Sequence, residues 1–288
     1  MDLNAIVARA QSIFSLPEVV YRINELISSG NTTNQELEQT ILNDPALTAK
    51  LLKLANSPYF GFSKKIETVS YAIALIGHRE LRNLALASSV TTVFKGISSD
   101  LINMESFWHH SISSGITARL MAYDINCRER MFIAGLLHGI GRLILINQFP
   151  EESSKILCTS EVDEDTIAKA ELHAFGFTAT ELSAAFLKEW NLPASIWKTV
   201  ACQRNPTDSE QLNTDAYILH LAIIIARYKQ NHRNREINSD DIKSLCKPEI
   251  YQRLGLDDEV IELINTVAEL QINEMLNCIK PGTTVDND

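Results

Sequence analysis

Apolar residues recur at three- and four-residue intervals along most of the chain. Val19, Val20, Ile23, Leu26 and Ile27 show the pattern, which marks one face of a helix rather than a strand. Gly30 is placed to stop this helix, since without a β-carbon it can turn left-handed at no steric cost. The same periodicity predicts helices over Thr33–Leu42, Asp44–Ala55, Ile66–Ile76 and His78–Phe94, so five helices precede residue 97. Asp44 followed by Pro45 supplies an N-cap and a first-turn residue that needs no amide partner, and Asn56, Ser57 and Pro58 read as a turn. No segment alternates convincingly with period two.

The polar run Gly96-Ile97-Ser98-Ser99-Asp100 predicts a boundary between two lobes. Beyond it, Trp108, Ile112, Ile116, Leu120 and Tyr123 form one stripe of a helix starting at Met104, and Ser111, Ser114, Ala118 and Met121 leave its other faces small or apolar. That helix is expected to be buried on most sides. Further helices are predicted over Arg130–Leu145, Asp163–Phe175, Thr178–Trp190, Pro193–Ala201, Thr214–Tyr228 and Asp257–Ile279, with a frayed polar tail from Pro281. The expectation is therefore an all-α, two-lobed bundle: an N-terminal helical lobe over 1–97, a second lobe over 98–235, and a C-terminal extension over 236–288.

Composition narrows the class. Forty-five per cent hydrophobic and 22% charged residues are compatible with a folded core and not with a disordered chain, and 11 Gly and 8 Pro in 288 residues argue for long helices. A net charge of −10 opposes duplex nucleic acid, and the only dense basic stretch, ARYKQNHRNREI with Arg227, Lys229, His232, Arg233 and Arg235, reads as a solvated helix end. The five cysteines are scattered, with no CxxC pair, which fits reduced thiols in a cytoplasmic protein. The first fifteen residues lack a secretory signal pattern, and the apolar run Tyr217–Ala226 is about half the ~20 residues needed to span a bilayer, so no membrane partner is expected.

Candidate chemistry rests on histidine. On the Met104 helix, Glu105, His109 and Arg119 share the face predicted to be solvated, which turns His110 inward. His138 ends the apolar sequence MFIAGLLH, where a polar ring needs a partner to offset its desolvation. His173 lies in ELHAFGF, near a helix break at Gly176. Three inward histidines from three helices could approach one point, although each alone is more often a hydrogen-bonded core or surface residue. Arg142, four residues after His138, shares its helical face and could hold a phosphate with its two-pronged guanidinium.

The order FWHHS, GLLHGIGRLIL, ELHAFGFTATELSAAFLKEWNLPASI resembles the HD superfamily of metal-dependent phosphohydrolases. LPEVVYRINELI, NDPALTAKLLKLANSPYFGF and IETVSYAIALIGHRELRNLAL narrow the resemblance to the HDOD domain, a bacterial signalling branch of that superfamily, from about Leu16 to about Tyr228. The resemblance implies that His110 and His138 match the first two metal-binding histidines and His173 a further one. It also exposes departures. The aspartate beside the second histidine is replaced by Gly139, a double-histidine place reads Gln203-Arg204, and the distal aspartate reads Ile223. Glu171 is too far round the helix from His173 to substitute for them. A two-metal hydrolytic centre depends on anionic bridges, so their loss is more damaging than loss of a neutral ligand.

The expectation is accordingly a degenerate HD lobe, a non-catalytic signal-transduction module without cofactor or metal. His110, His138, His173 and Arg142 would be the vestigial pocket, open to a small phosphorylated ligand. Its partners would be signalling proteins such as kinases, response regulators or cyclic-dinucleotide enzymes. The alternative is a phosphohydrolase of nucleotides or cyclic dinucleotides with an atypical metal site. In the N-terminal motif, Asp44, Pro45, Leu47, Leu51, Leu54 and Asn56 are expected to build structure, while Lys50 and Lys53 would be exposed to an acidic partner.

Overall fold

A computed structural model describes residues 1–57, 60, 62–97, 100–158, 163–208, 214–232 and 235–279. The predicted turn at Pro58, the Ser98–Ser99 part of the lobe boundary, Arg233 and the tail from Pro281 lie outside them. Among the described residues the regular structure is helical throughout. The contacts divide the chain into two units: Met1–Phe14 with Gly96–Ala268, and Ser15–Lys95 with the chain from Glu269.

The smaller unit contains α2 (Glu18–Ser29), α3 (Asn34–Leu42), α4 (Pro45–Ala55), α5 (Val69–Ile76) and α6 (His78–Val93). Their ends follow local chemistry. Gly30 is left-handed after α2, Thr33 and Glu36 form a reciprocal capping box on α3, and the Asp44 carboxylate accepts the Leu47 amide at 2.9 Å before Pro45. Ile23, Leu37, Ile41, Leu51, Leu54, Ile73 and Leu81 make its core. Asn56 ties the chain after α4 to Ile66, donating to its carbonyl and accepting its amide, both at 2.7 Å. Lys50 is half-buried and donates to the Ser88 carbonyl at 3.1 Å, whereas Lys53 is exposed, as expected, and donates to the Asn277 carbonyl at 2.8 Å.

The larger unit contains α1 (Leu3–Ile13), α7 (Met104–Met121), α8 (Ile125–Leu137), α9 (Ile140–Gln148), α10 (Pro150–Leu157), α11 (Glu164–Phe175), α12 (Ala179–Glu189), α13 (Ala194–Ala201), α14 (Thr214–Asn231), α15 (Ser239–Leu245), α16 (Pro248–Leu254) and the start of α17 (Asp258–Ile279). This departs from a division into 1–97, 98–235 and 236–288. The first fourteen residues join the later unit because α1 packs on α12, the Met1 ammonium donates to the Phe175 carbonyl at 2.7 Å, and the Trp190 indole to that of Phe14 at 3.2 Å. Residues 236–268 are not a separate extension, since α15 and α16 pack on α14, and Lys229 donates to the Ile264 carbonyl at 3.1 Å.

Three glycines bring the helices of this unit close enough to place the site. A β-carbon on Gly135 would come 2.5 Å from Gly115 Cα, so α7 and α8 meet backbone to backbone. A β-carbon on Gly141 would run into the Ala179 carbonyl, and its amide donates to the Ser183 hydroxyl at 2.8 Å, which fixes α9 on α12. The stretch Cys127–Gln148 is apolar and long enough to cross a membrane by composition, but 83% of its best window is buried inside this unit as the α8–α9 core.

Candidate functional site

The predicted helix Arg130–Leu145 is in fact two. His138 and Gly139 form the turn between α8 and α9, so His138 sits at a helix end, where its ring can answer a carbonyl left without a helical partner. Its Nδ1–H donates to the Gly135 carbonyl at 2.6 Å, which fixes the neutral tautomer and leaves Nε2 with the lone pair. The His110 ring, on α7, lies edge-on to it with centroids 5.3 Å apart. Both His110 ring nitrogens are shielded from solvent and have no hydrogen-bond partner among the described residues. Burial, then the neighbouring His138 and the Arg227 charge, push His110 well below its ordinary value, and burial above all lowers His138 to about 4. Both rings are neutral at pH 7.

Beside the rings lies an ion-pair cluster at the start of α11. Arg142, on α9, grips the Glu164 carboxylate with both prongs, Nη1 to Oε1 at 3.0 Å and Nη2 to Oε2 at 2.8 Å. Arg227, on α14, reaches the same Oε1 with Nη2 at 2.9 Å. Arg204, which follows α13, donates to the Glu164 carbonyl at 2.7 Å and to the Asp165 carboxylate at 2.5 Å. Acidic residues in a first turn suit the helix dipole, and three arginines from three other segments converge on them. Burial works to raise the Glu164 carboxyl, but the Arg142 hydrogen bonds and charge, followed by Arg227 and Arg204, overcome it and hold the group far below the usual carboxylate range.

The predicted site residues separate here. His110, His138 and Arg142 come together, but His173 is exposed on the outer face of α11. Glu171 is buried instead, its Oε2 accepting the Ala179 amide at 2.8 Å and its Oε1 3.7 Å from Arg142 Nη2. The ~200° between these two positions does separate them, in the sense opposite to expectation: α11 turns the carboxylate inward and the imidazole out. Arg227 and Lys229 are engaged internally rather than forming a wholly solvated helix end. Gln203 and Arg204 brace the site, with the Gln203 amide donating to the His138 carbonyl at 3.1 Å. Glu164 carried no sequence signal beyond following the N-cap Asp163.

These residues do not fit a two-metal HD centre. His110 and His138 supply two imidazoles, Gly139 and Ile223 supply no donor, and the nearby carboxylate is already held by two guanidiniums, of which Arg227 acts with its charge on both rings and Arg142 on His138. Among the described residues no three His, Cys, Asp or Glu side chains form a metal-holding group.

The HDOD domain family model matches residues 13–206. An uncharacterized protein of Treponema pallidum (strain Nichols) is 26% identical over 213 residues, covering 70% of this chain; the matched chain spans only 39% of that relative's length. A crystal structure of a candidate phosphohydrolase from Shewanella amazonensis SB2B shares the fold at TM-score 0.74, with 21% identity over 96% of this chain and 98% of that one. An HDOD domain protein of unknown function from Geobacter sulfurreducens does so at TM-score 0.70, with 23% identity over 95% and 99%. A candidate signal transduction protein from Marinobacter aquaeolei VT8 matches at TM-score 0.67, with 20% identity over 96% of this chain and 64% of its own. The family match covers the Ser15–Lys95 part of the smaller unit and the segments that carry His110, His138, Arg142 and Glu164, and the chain belongs to the HDOD domain family.

Proposed function

We propose that this protein is a regulatory module that acts by binding and does not hydrolyse phosphoesters. The observation that carries the reading is the grip of Arg142 and Arg227 on Glu164 beside the two matched histidines. A hydrolytic HD centre gathers carboxylates around cations, whereas here the carboxylate beside the rings is already engaged by guanidiniums. Family membership and the signal transduction protein of the same fold support a regulatory role. On this reading its partners are separate signalling proteins in the cytoplasm, such as kinases, response regulators or cyclic-dinucleotide enzymes.

The test is metal content by inductively coupled plasma mass spectrometry, on untagged protein offered iron, manganese, zinc and nickel, alongside a hydrolysis screen of nucleotides and cyclic dinucleotides. The expected result is no stoichiometric metal and no turnover. Near-stoichiometric metal that disappears in His110→Ala and His138→Ala variants, together with turnover, overturns the reading in favour of a phosphohydrolase.

A further inference from the structure

The Glu164 carboxylate occupies a site built for an oxyanion. Its two oxygens receive the two prongs of Arg142, and Oε1 is also ion-paired with an Nη of Arg227 at 2.9 Å. The fork of an arginine fits a phosphate as well as a carboxylate. Unused hydrogen-bonding capacity remains on the residues beside the Glu164 carboxylate. Among the described residues the buried Arg142 Nε has no hydrogen-bond partner and neither does either ring nitrogen of His110, although a neutral imidazole carries one N–H.

We infer that this cluster is a binding site for a small molecule carrying a phosphate monoester, whose phosphate takes the place that Glu164 holds in the ligand-free protein. The inference rests on the binding reading above and names its ligand class. Charge favours a dianion. With Glu164 withdrawn, the guanidiniums of Arg142 and Arg227 lose their shared carboxylate, and Glu171 stays engaged with the Ala179 amide and 3.7 Å from Arg142 Nη2. A monoanionic carboxylate ligand would merely replace Glu164 like for like.

Exchange does not require the core to open. The Glu164 side chain is 33% exposed and that of Arg227 41%, so the pair lies at the surface with the two imidazoles beneath it. Arg204 holds the Glu164 backbone carbonyl and the Asp165 side chain, which keeps the first turn of α11 in place while the Glu164 side chain rotates outward.

The experiment is titration of inorganic phosphate, with acetate as the monoanionic comparison, into wild-type, Glu164→Gln, Glu164→Ala, Arg227→Gln and Glu164→Ala/Arg227→Gln proteins. It is followed by calorimetry and phosphorus NMR in buffer containing EDTA, after circular dichroism has confirmed each fold. Removing an internal competitor that leaves the site open about a tenth of the time tightens apparent affinity about tenfold. A gain of that order for phosphate in Glu164→Gln and Glu164→Ala is therefore expected, lost in the double variant, with acetate bound far more weakly. Arg227→Gln, at the more exposed position, is expected to fold and to weaken the wild-type phosphate affinity. Phosphate affinity indifferent to Glu164, a gain that survives loss of Arg227, or equal binding of acetate overturns the inference. The chelator keeps this outcome separate from metal-dependent turnover, which would overturn the binding reading itself.

Discussion

Phe107 stands over Gly139, so that a β-carbon on Gly139 would lie 3.2 Å from Phe107 Cε2. The place where the family pattern puts a metal-binding aspartate is thus crowded by a ring three residues before His110 on α7. Restoring the carboxylate as Gly139→Asp is expected to destabilise the protein by about 1–3 kcal/mol, the cost of overfilling a packed site. Phe107→Ala in the same chain should relieve part of that loss, so the double variant is more stable than the two single losses add up to. Urea denaturation of the four proteins checks this, and simple additivity would show that Phe107 does not crowd the place.

The buried imidazoles predict how stability follows pH. His138 falls from an ordinary value near 6.5 to about 4 in the folded protein, so between those values the unfolded chain binds more protons than the folded one. Its contribution is full above about 6.5 and is lost as pH falls towards 4, and His110 acts in the same direction. Glu164, held low by its arginines, withdraws stability only as pH falls below the ordinary carboxylate value, while Glu171, raised by burial, acts in the opposite sense above that value, returning stability as pH falls towards it. His138→Asn keeps an N–H for the Gly135 carbonyl and removes the titration. It should flatten the fall in unfolding free energy between pH 7 and 4, measured by urea denaturation across that range.

Gly141 has no room for any side chain, because a β-carbon there would overlap the Ala179 carbonyl and crowd the Ser183 amide. Both obstacles are backbone, which cannot rotate away. Gly141→Ala is expected to cost more than about 3 kcal/mol, at the large end for a single substitution, or to leave no folded protein. Thermal melting followed by circular dichroism reads the effect, and a variant that melts like the wild type would contradict the α9–α12 contact.

His173 is expected to be silent. It stands exposed on α11, so His173→Ala should change stability by no more than about 0.5 kcal/mol. Its phosphate affinity should equal that of the wild-type protein in the titration described above, and a marked loss would return this histidine to the pocket.

Local chemistry made much of the helical order legible. Periodicity with Gly30, Thr33, Asp44 and Thr178 at the boundaries located α2, α3, α4 and α12, because caps and left-handed stops act within a few residues of themselves. The helices α1, α10, α15 and α16 escaped. The break at His138–Gly139 escaped as well, because the apolar pattern runs on through it.

The sequence by itself determined the all-helical class, the family, and the absence of a carboxylate at Gly139 and Ile223, for these depend on residue identity and spacing alone. Tertiary structure alone decided which charged groups stand beside the two histidines. Arg142 and Glu164 are 22 residues apart, and Arg227 comes to them from α14. No periodicity links such positions, and the backbone contact of Gly115 with Gly135 and of Gly141 with Ala179 sets which side chains of these helices meet. The same holds for α11. Its sequence offers Glu171 and His173 as equally polar neighbours, and only the packing that buries Ile167, Ala168 and Phe175 turns the carboxylate inward and leaves the imidazole in water.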